Sequence, residues 1–338
     1  MTRRKKHILY SLLILFLVFL WNYQLLSYGA SQLKGQLNII IASKSIESVL
    51  QDNTFPDSLK YKLKLVQKIK HYAIDSIGLA PSNSYETVFN QNGKPILKII
   101  TACKPYELDD YTWSFPFLGE VSYKGFFNEE MLDQELNKIK LKKYDYSVNE
   151  VTAWSTLGWF KDPILTNFLK RSDGMLSNLI IHELTHGTIY IKSDVYFNEN
   201  LANFIGHAGA KAFLKSNFGG NSPIYKKYIS EMKDEKTLTD FVVSKANELD
   251  SLYQTFEPTM HSSCKDEMKK HFMNNFILEL KNLPITSVDR YIPKIEKLNN
   301  TYFQSFRRYN SNMDFFEKES HRYDNLKSFV NALKIEYQ

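Results

Sequence analysis

The segment Asn178-Leu-Ile-Ile-His-Glu-Leu-Thr-His-Gly-Thr-Ile-Tyr190 constrains this chain more than any other stretch. His182 and His186 stand at i and i+4, and on an α-helix that spacing puts both on one face with Cβ atoms about 6 Å apart, so both imidazoles can reach one ion. Leu179, Ile180, Ile181 and Leu184 surround them. A surface histidine pair has no use for such flanks, whereas a helix buried on most sides requires them. Glu183, next to the first histidine, points to the side where a metal-held water would sit and can take its proton. The fold must therefore bury a helix while leaving one part of it open to a reactant.

Catalytic zinc takes three protein ligands and keeps one position open. The third candidate is Glu199, in Phe197-Asn-Glu-Asn-Leu-Ala202 at the start of the next predicted helix. A short loop over 192–196 would then join two antiparallel helices that face one ion. His207 competes for the same role, but it lies about 80° round the helix from Glu199 and ranks second. Ala202, Gly206, Ala208, Gly209 and Ala210 predict close helix packing along that element.

A chain of 338 residues with 43% hydrophobic content can bury one large core or two unequal ones. The formal charge is +6, and Arg3, Arg4, Lys5 and Lys6 supply four of those charges. The rest is nearly neutral, which excludes a basic footprint for nucleic acid. Cys103 and Cys264 show no C-x-x-C spacing, so a zinc ribbon and a thioredoxin-type motif are also excluded. Pairing of the two thiols and two separate thiols both fit the sequence.

After the basic cluster, Ile8 to Trp21 is a nearly unbroken apolar run that Leu25 and Leu26 extend. It reads as a membrane-directing segment. Ser27-Tyr-Gly-Ala30 matches an A-x-A cleavage site poorly, so an uncleaved signal anchor or single transmembrane helix is expected over residues 1–30. Its basic end would face the cytoplasm, with the remainder outside the cytoplasmic membrane. Residues 31–80 read as a stalk of two helices, Leu33 to Leu50 and Ser58 to Ile77, packed on a metallopeptidase domain over 81–338.

Within that domain, the β-prone runs Ile96 to Ala102, Tyr111 to Val121 and Tyr144 to Ser155 predict a small sheet. Trp154-Ser155-Thr156 is a candidate edge strand on which an extended peptide could lie. Helical periodicity follows near 174–191, 199–216, 223–232, 237–254, 261–282 and 297–335. The expected class is an α-rich α+β fold. Tyr123, Tyr309 and His261 are candidates, by chemistry alone, for the donor that stabilises an oxyanion.

Beyond the metal motif, the chain resembles a bacterial family of membrane-associated, zinc-dependent aminopeptidases of the gluzincin type. The likeness runs from Leu33-Lys-Gly-Gln-Leu to Gly209. It is carried by Trp113-Ser-Phe-Pro-Phe-Leu-Gly, Tyr123-Lys-Gly-Phe-Phe, Ala153-Trp-Ser-Thr-Leu-Gly-Trp-Phe-Lys-Asp-Pro, the H-E-L-T-H run and the N-E-x-x-A run at Asn198. The resemblance implies a gluzincin-like fold, one zinc ion on His182, His186 and Glu199, and Glu183 as base. Where the family has Ala-Tyr-Ser-Thr, this chain has Ala153-Trp-Ser-Thr. The G-x-M-E-N element by which other gluzincin aminopeptidases grip a free amino terminus is absent.

The function expected is hydrolysis of peptide bonds in peptides or proteins outside the cytoplasm, with cleavage at chain ends and within chains both open. A tethered scaffold that keeps the fold without catalysis, and a hydrolase of cell-wall amide bonds, are the alternatives. A base beside an open metal position argues against the scaffold.

Overall fold

The computed structural model describes residues 22–116, 119–151, 161–286, 288–310 and 313–337. The apolar run Ile8 to Trp21 and the Trp154-Ser155-Thr156 strand lie outside them. Among the described residues no helix is long and apolar enough to cross a membrane.

The first described helix, α1 (Tyr23–Ala42), passes residue 30 without a break. The helix expected over Leu33 to Leu50 is interrupted. Ser43 Oγ donates to the Ile39 carbonyl at 2.7 Å and its backbone turns extended. The chain then forms the short strand β1 (Lys44–Ser45) before α2 (Ile46–Gln51), which Ser45 caps by accepting from Ser48 N. After Pro56, α3 (Asp57–Tyr72) buries Leu63, Leu65, Val66 and Ile69 on one side. It ends through a π-turn at Gly78, whose φ of 84° is a left-handed conformation that favours glycine.

The expected single small sheet is three among the described residues. In one, β2 (Thr87–Phe89) pairs antiparallel with β1 and parallel with β8 (Ile164–Leu165). In the second, β3 (Leu97–Cys103) lies between β6 (Lys124–Phe126) and β7 (Asp145–Val151), antiparallel to both, with Ile100 opposite Lys124 and Val148. Ile100 and Ala102 pack with Leu132, Leu136 and Ile139 of α4 (Glu129–Leu141). The run expected as one strand over Tyr111 to Val121 is a hairpin, β4 (Trp113–Phe115) with β5 (Gly119–Val121). Trp113 Nε1 donates to Glu135 Oε1 at 2.9 Å and fastens that hairpin to α4.

The rest is helical: α5 (Asp173–His186), α6 (Val195–Phe218), α7 (Pro223–Gln254), α8 (Ser262–Leu280), α9 (Asn300–Asn310), α10 (Met313–Ser320) and α11 (Leu326–Tyr337). Two predicted helices over 223–254 are one, because Lys233-Asp-Glu-Lys236 is polar without containing a helix breaker. The region read as one helix over 297–335 is broken instead. Asn325 Oδ1 accepts from Ser328 N at 3.0 Å and so starts α11 afresh.

One core gathers α3, α5, α6 and the last two helices through residues such as Ile69, Ile180, Ile205, Phe316 and Phe329. A second joins α7, α8 and α9 through Val242, Leu249, Phe276 and Phe303. Polar contacts set their relative register. Arg308 of α9 pairs with Asp110 at 3.0 Å, both nearly closed to water, and Asn200 Nδ2 of α6 donates to the Arg308 carbonyl at 2.9 Å. A buried pair of this kind fixes geometry more surely than it adds stability.

The closest approach is between α5 and α6. A Cβ on Gly206 would lie 2.4 Å from Asn178 Oδ1, 3.1 Å from the Asn178 carbonyl and 3.3 Å from His182 Cβ. Gly209 stands likewise against Ile77 and Ile181. These small residues were legible as packing signals, and here they let two helices meet backbone to backbone. Gly206→Ala should therefore cost about 1–3 kcal/mol of unfolding free energy. Gly29→Ala, at a helical position with nothing within 4 Å, should instead stabilise by about 0.5–1 kcal/mol. Urea unfolding of the two variants beside the parent chain checks the contrast.

Candidate metal centre

Helix α5 is pinned at both ends. At its start Ser172 Oγ accepts from Met175 N at 3.2 Å, and Asp173 takes Lys62 Nζ and, at 2.8 Å, Tyr61 Oη from α3. The helix predicted to reach residue 191 stops at His186. Thr188 accounts for this: its Oγ1 donates to the Leu184 carbonyl at 2.8 Å and accepts from Ala80 N at 3.0 Å, drawing the chain away from the helix axis.

The connection to α6 covers 187–194, and α6 begins at Val195 rather than beside Glu199. Asp194 caps it by accepting from Phe197 N at 2.9 Å. Asn198 then closes the loop on itself: its Oδ1 accepts from Ile191 N at 2.8 Å and its Nδ2 donates to the Ile191 carbonyl at 2.7 Å. These two hydrogen bonds to the backbone of one residue set where α6 starts and so where Glu199, the next residue, points. Gly206 against Asn178 at one end and Glu199 against His186 at the other make the helices antiparallel.

The outcome is a compact triangle. His182 Nε2 and His186 Nε2 are 3.1 Å apart, and Glu199 Oε2 lies 3.5 Å from the first and 3.6 Å from the second. Tetrahedral zinc with bonds of about 2.0–2.1 Å separates its ligand atoms by about 3.3 Å, so the three donors suit such an ion without rearrangement. The cluster could hold a metal ion.

Electrostatics point the same way. Burial works against the charge on Glu199, yet the His186 and His182 rings outweigh it and hold the carboxyl far below the usual range. Burial also works against a charged His186, and Glu199 overrides it, pushing the ring upward. A buried carboxylate between two imidazoles thus calls for positive charge in the middle, as a proton or as a cation. His186 Nδ1 is buried and has no hydrogen-bond partner among the described residues.

The triangle lies in the wall of a cavity of about 1860 Å³, well above the ~300–1,000 Å³ of common small-molecule sites. Strands β3, β6 and β7 and helices α1 and α9 line the same cavity. Glu183 lines the same space. Tyr123 and Tyr190 do so too, and burial, then the Glu199 charge, raises both hydroxyls, keeping them protonated donors at neutral pH.

Of the candidates read from sequence, the fold brings His182, His186 and Glu199 together and sets Glu183 and Tyr123 on the same cavity. His207 stays outside the cluster. Its Nδ1 is shared between Asn178 Nδ2 and Tyr228 Oη, each at 3.4 Å, and burial lowers its ring to about 4. His261 is exposed and caps α8. The side chain of Tyr309 and the Trp154-Ser155-Thr156 strand lie outside the described residues. Sequence reasoning left unassigned Tyr190, Asn198, Arg171 and Glu235. Only Asn198 stood inside a motif that could have drawn attention to it.

A family model described as "Putative aminopeptidase" matches residues 27–335 of the chain. No curated protein and no solved structure matches it.

If the Asn198 clamp aims Glu199, Asn198→Ala should weaken divalent-metal binding about ten- to a hundredfold with the three ligands intact. His207→Ala should change it far less. Competition titration against a chelator measures both.

Proposed function

From the chain's membership of that aminopeptidase family, which the match over residues 27–335 establishes, we propose a zinc-dependent peptidase that acts outside the cytoplasm. The triangle of His182 Nε2, His186 Nε2 and Glu199 Oε2 beside Glu183 carries this reading. Two neutral imidazole nitrogens, one carboxylate and an open side toward a cavity form the donor set that catalytic zinc prefers. When bound, one zinc ion would supply Lewis acidity toward a carbonyl and bring the pKa of water near neutrality.

The chain's own residues divide the remaining work. Glu183 accepts the proton of the attacking water and passes it to the departing amine, so the leaving group departs neutral. Tyr123 and Tyr190 carry the hydroxyls that can donate to charge developing on the carbonyl oxygen. The strands β3 and β7 line the cavity and offer a wall along which an extended chain could lie, and the cavity's size suits a peptide better than a small metabolite.

The gluzincin-like architecture belongs to the same proposal, resting on two paired helices that supply H-E-x-x-H and the glutamate. So does the anchoring: residues 1–30 as the signal anchor, 31–80 as the segment packed on the domain and 81–338 as the peptidase, held at a bacterial cytoplasmic membrane on its outer side. The basic cluster ahead of Ile8 to Trp21 supports that orientation.

Metal analysis and digestion of a peptide library, run on the parent chain and on Glu183→Gln, test the reading together. Zinc is expected at one ion per chain in both, with cleavage in the variant lower by about two to four orders of magnitude. His186→Ala should lose the metal itself. Bound zinc without Glu183-dependent cleavage of any peptide would overturn the peptidase and favour a tethered scaffold.

A further inference from the structure

The cavity that holds the metal triangle reaches helix α1, where its lining turns apolar: Leu25, Leu26, Leu33, Phe115 and Phe127 all face it. These side chains belong to one end of the space. The Tyr28 ring lies 5.8 Å from that of Phe115, and Gly35 stands against the Phe127 ring. Polar groups at this end are tied into the fold. Tyr28 Oη and Gln32 Nε2 donate to the Gly125 carbonyl at 2.8 and 3.0 Å, and Lys124 pairs with Glu135 at 3.1 Å.

The same two bonds to Gly125 seat α1 on β6, a short way from the chemistry. Tyr123, two residues back and so at most about 7 Å along the chain, lines the cavity within Coulombic reach of Glu199 and Glu183. On α1 itself, Leu25, Leu26 and Leu33 are 40%, 47% and 49% exposed. Leu26, Gly29 and Leu33 stand at i, i+3 and i+7 and share one face. Gly29 makes a notch between the leucines, since nothing lies within 4 Å of a Cβ placed there. The helix carries a single charge, Lys34, among its 20 residues.

We propose that this notched leucine face is a subsite for an apolar segment of the substrate, a run of aliphatic side chains a few residues from the bond cleaved. The inference rests on the peptidase reading above and narrows it to hydrophobic peptides. Continuity of the cavity decides the occupant: an extended chain that presents a bond to Glu183 carries its further residues toward α1. Burying aliphatic side chains there takes both partners' apolar surface from water. The proposed anchor ends at Trp21 with Asn22 alone before α1. In that reading the leucine end opens beside the bilayer, where apolar peptide segments partition.

Binding is measured apart from turnover with the full Glu183→Gln chain in lipid nanodiscs, empty discs being subtracted. The probes are peptides of about ten residues with Leu-Leu-Val-Leu at either end of a Gly-Ser body, each beside its counterpart with Ser-Ser-Thr-Ser there. An apolar peptide should bind about tenfold or more tighter than its polar counterpart, the effect of burying one leucine. Leu33→Gln and, separately, Gly29→Gln, which plugs the notch, should each remove that difference without lowering the melting temperature. The open space around Gly29 lets the second variant stand in if the first fails to fold.

Equal binding of apolar and polar peptides, or a preference that survives either substitution, overturns the proposal. Pairing of chains in the discs that Leu33→Gln abolishes would give the face to a second copy and overturn it too. If the parent chain cleaves no peptide while the binding difference stands, the peptidase reading falls and the apolar subsite remains. Cleavage of apolar and polar peptides with one KM would leave the peptidase and remove the subsite.

Discussion

The contact on which the site depends is the approach of α6 to α5 at Gly206. There the glycine lies against the Asn178 carbonyl and His182 Cβ, and no side chain larger than hydrogen fits without displacement. The separation of the two helix axes at that point decides whether a carboxylate on one can reach imidazoles on the other. Glutamate is short, so a shift of an ångström opens the 3.5 and 3.6 Å contacts beyond what one ion can span. The surrounding core is accordingly built to press the pair together. Ile180 and Ile181 of α5, with Leu201 and Ile205 of α6, are closed to solvent within one cluster, and packing at that density resists relaxation.

Pressing the helices together creates an electrostatic problem that the same residues resolve. Burying a carboxylate costs several kcal/mol unless a positive charge accompanies it. Glu199 finds two imidazoles whose nitrogens, 3.1 Å apart, cannot both be protonated without strong repulsion. A divalent cation in the middle would remove the conflict, because both rings could then act as neutral donors while the carboxylate kept its charge. The buried Arg308–Asp110 pair solves a different problem with the same physics. It locks α9 against the segment leading into β4, and α9 in turn closes one side of the cavity.

The cluster of His182, His186 and Glu199, which could hold a metal ion, was more legible in the sequence than the architecture. H-E-x-x-H fixes relative positions within one helix, so the approach of His182 to His186 follows from local periodicity, and N-E-x-x-A points to Glu199 through the resemblance. Helix ends were read less well, since they depend on contacts far along the chain: Thr188 meets Ala80 N, and this bond across the fold accompanies the stop at His186. The unbroken α7 is the opposite case: a polar run predicts a boundary, yet nothing in it breaks a helix. Strands of two or three residues such as β1 and β8 carry too short a pattern to register. The expected membrane-directing run, Ile8 to Trp21, lies outside the described residues.

A single buried carboxylate is harder to read from sequence than a pair of metal donors, for a related reason. The catalytic group needs a ligand pair at i and i+4, and that need writes itself into one stretch of sequence. A lone buried carboxylate needs only one side chain at the right place in space, which any neighbouring element can supply. Here Glu235 comes from a helix that also carries Glu231, Lys233, Asp234 and Lys236, and along the chain nothing separates it from those solvated neighbours. Only the fold distinguishes it, by setting Arg171 at the head of α5 and closing one Glu235 oxygen away from water. An acidic residue in a charged helical run is set apart from its neighbours when packing removes its water and leaves one oxygen without a hydrogen bond among the described residues.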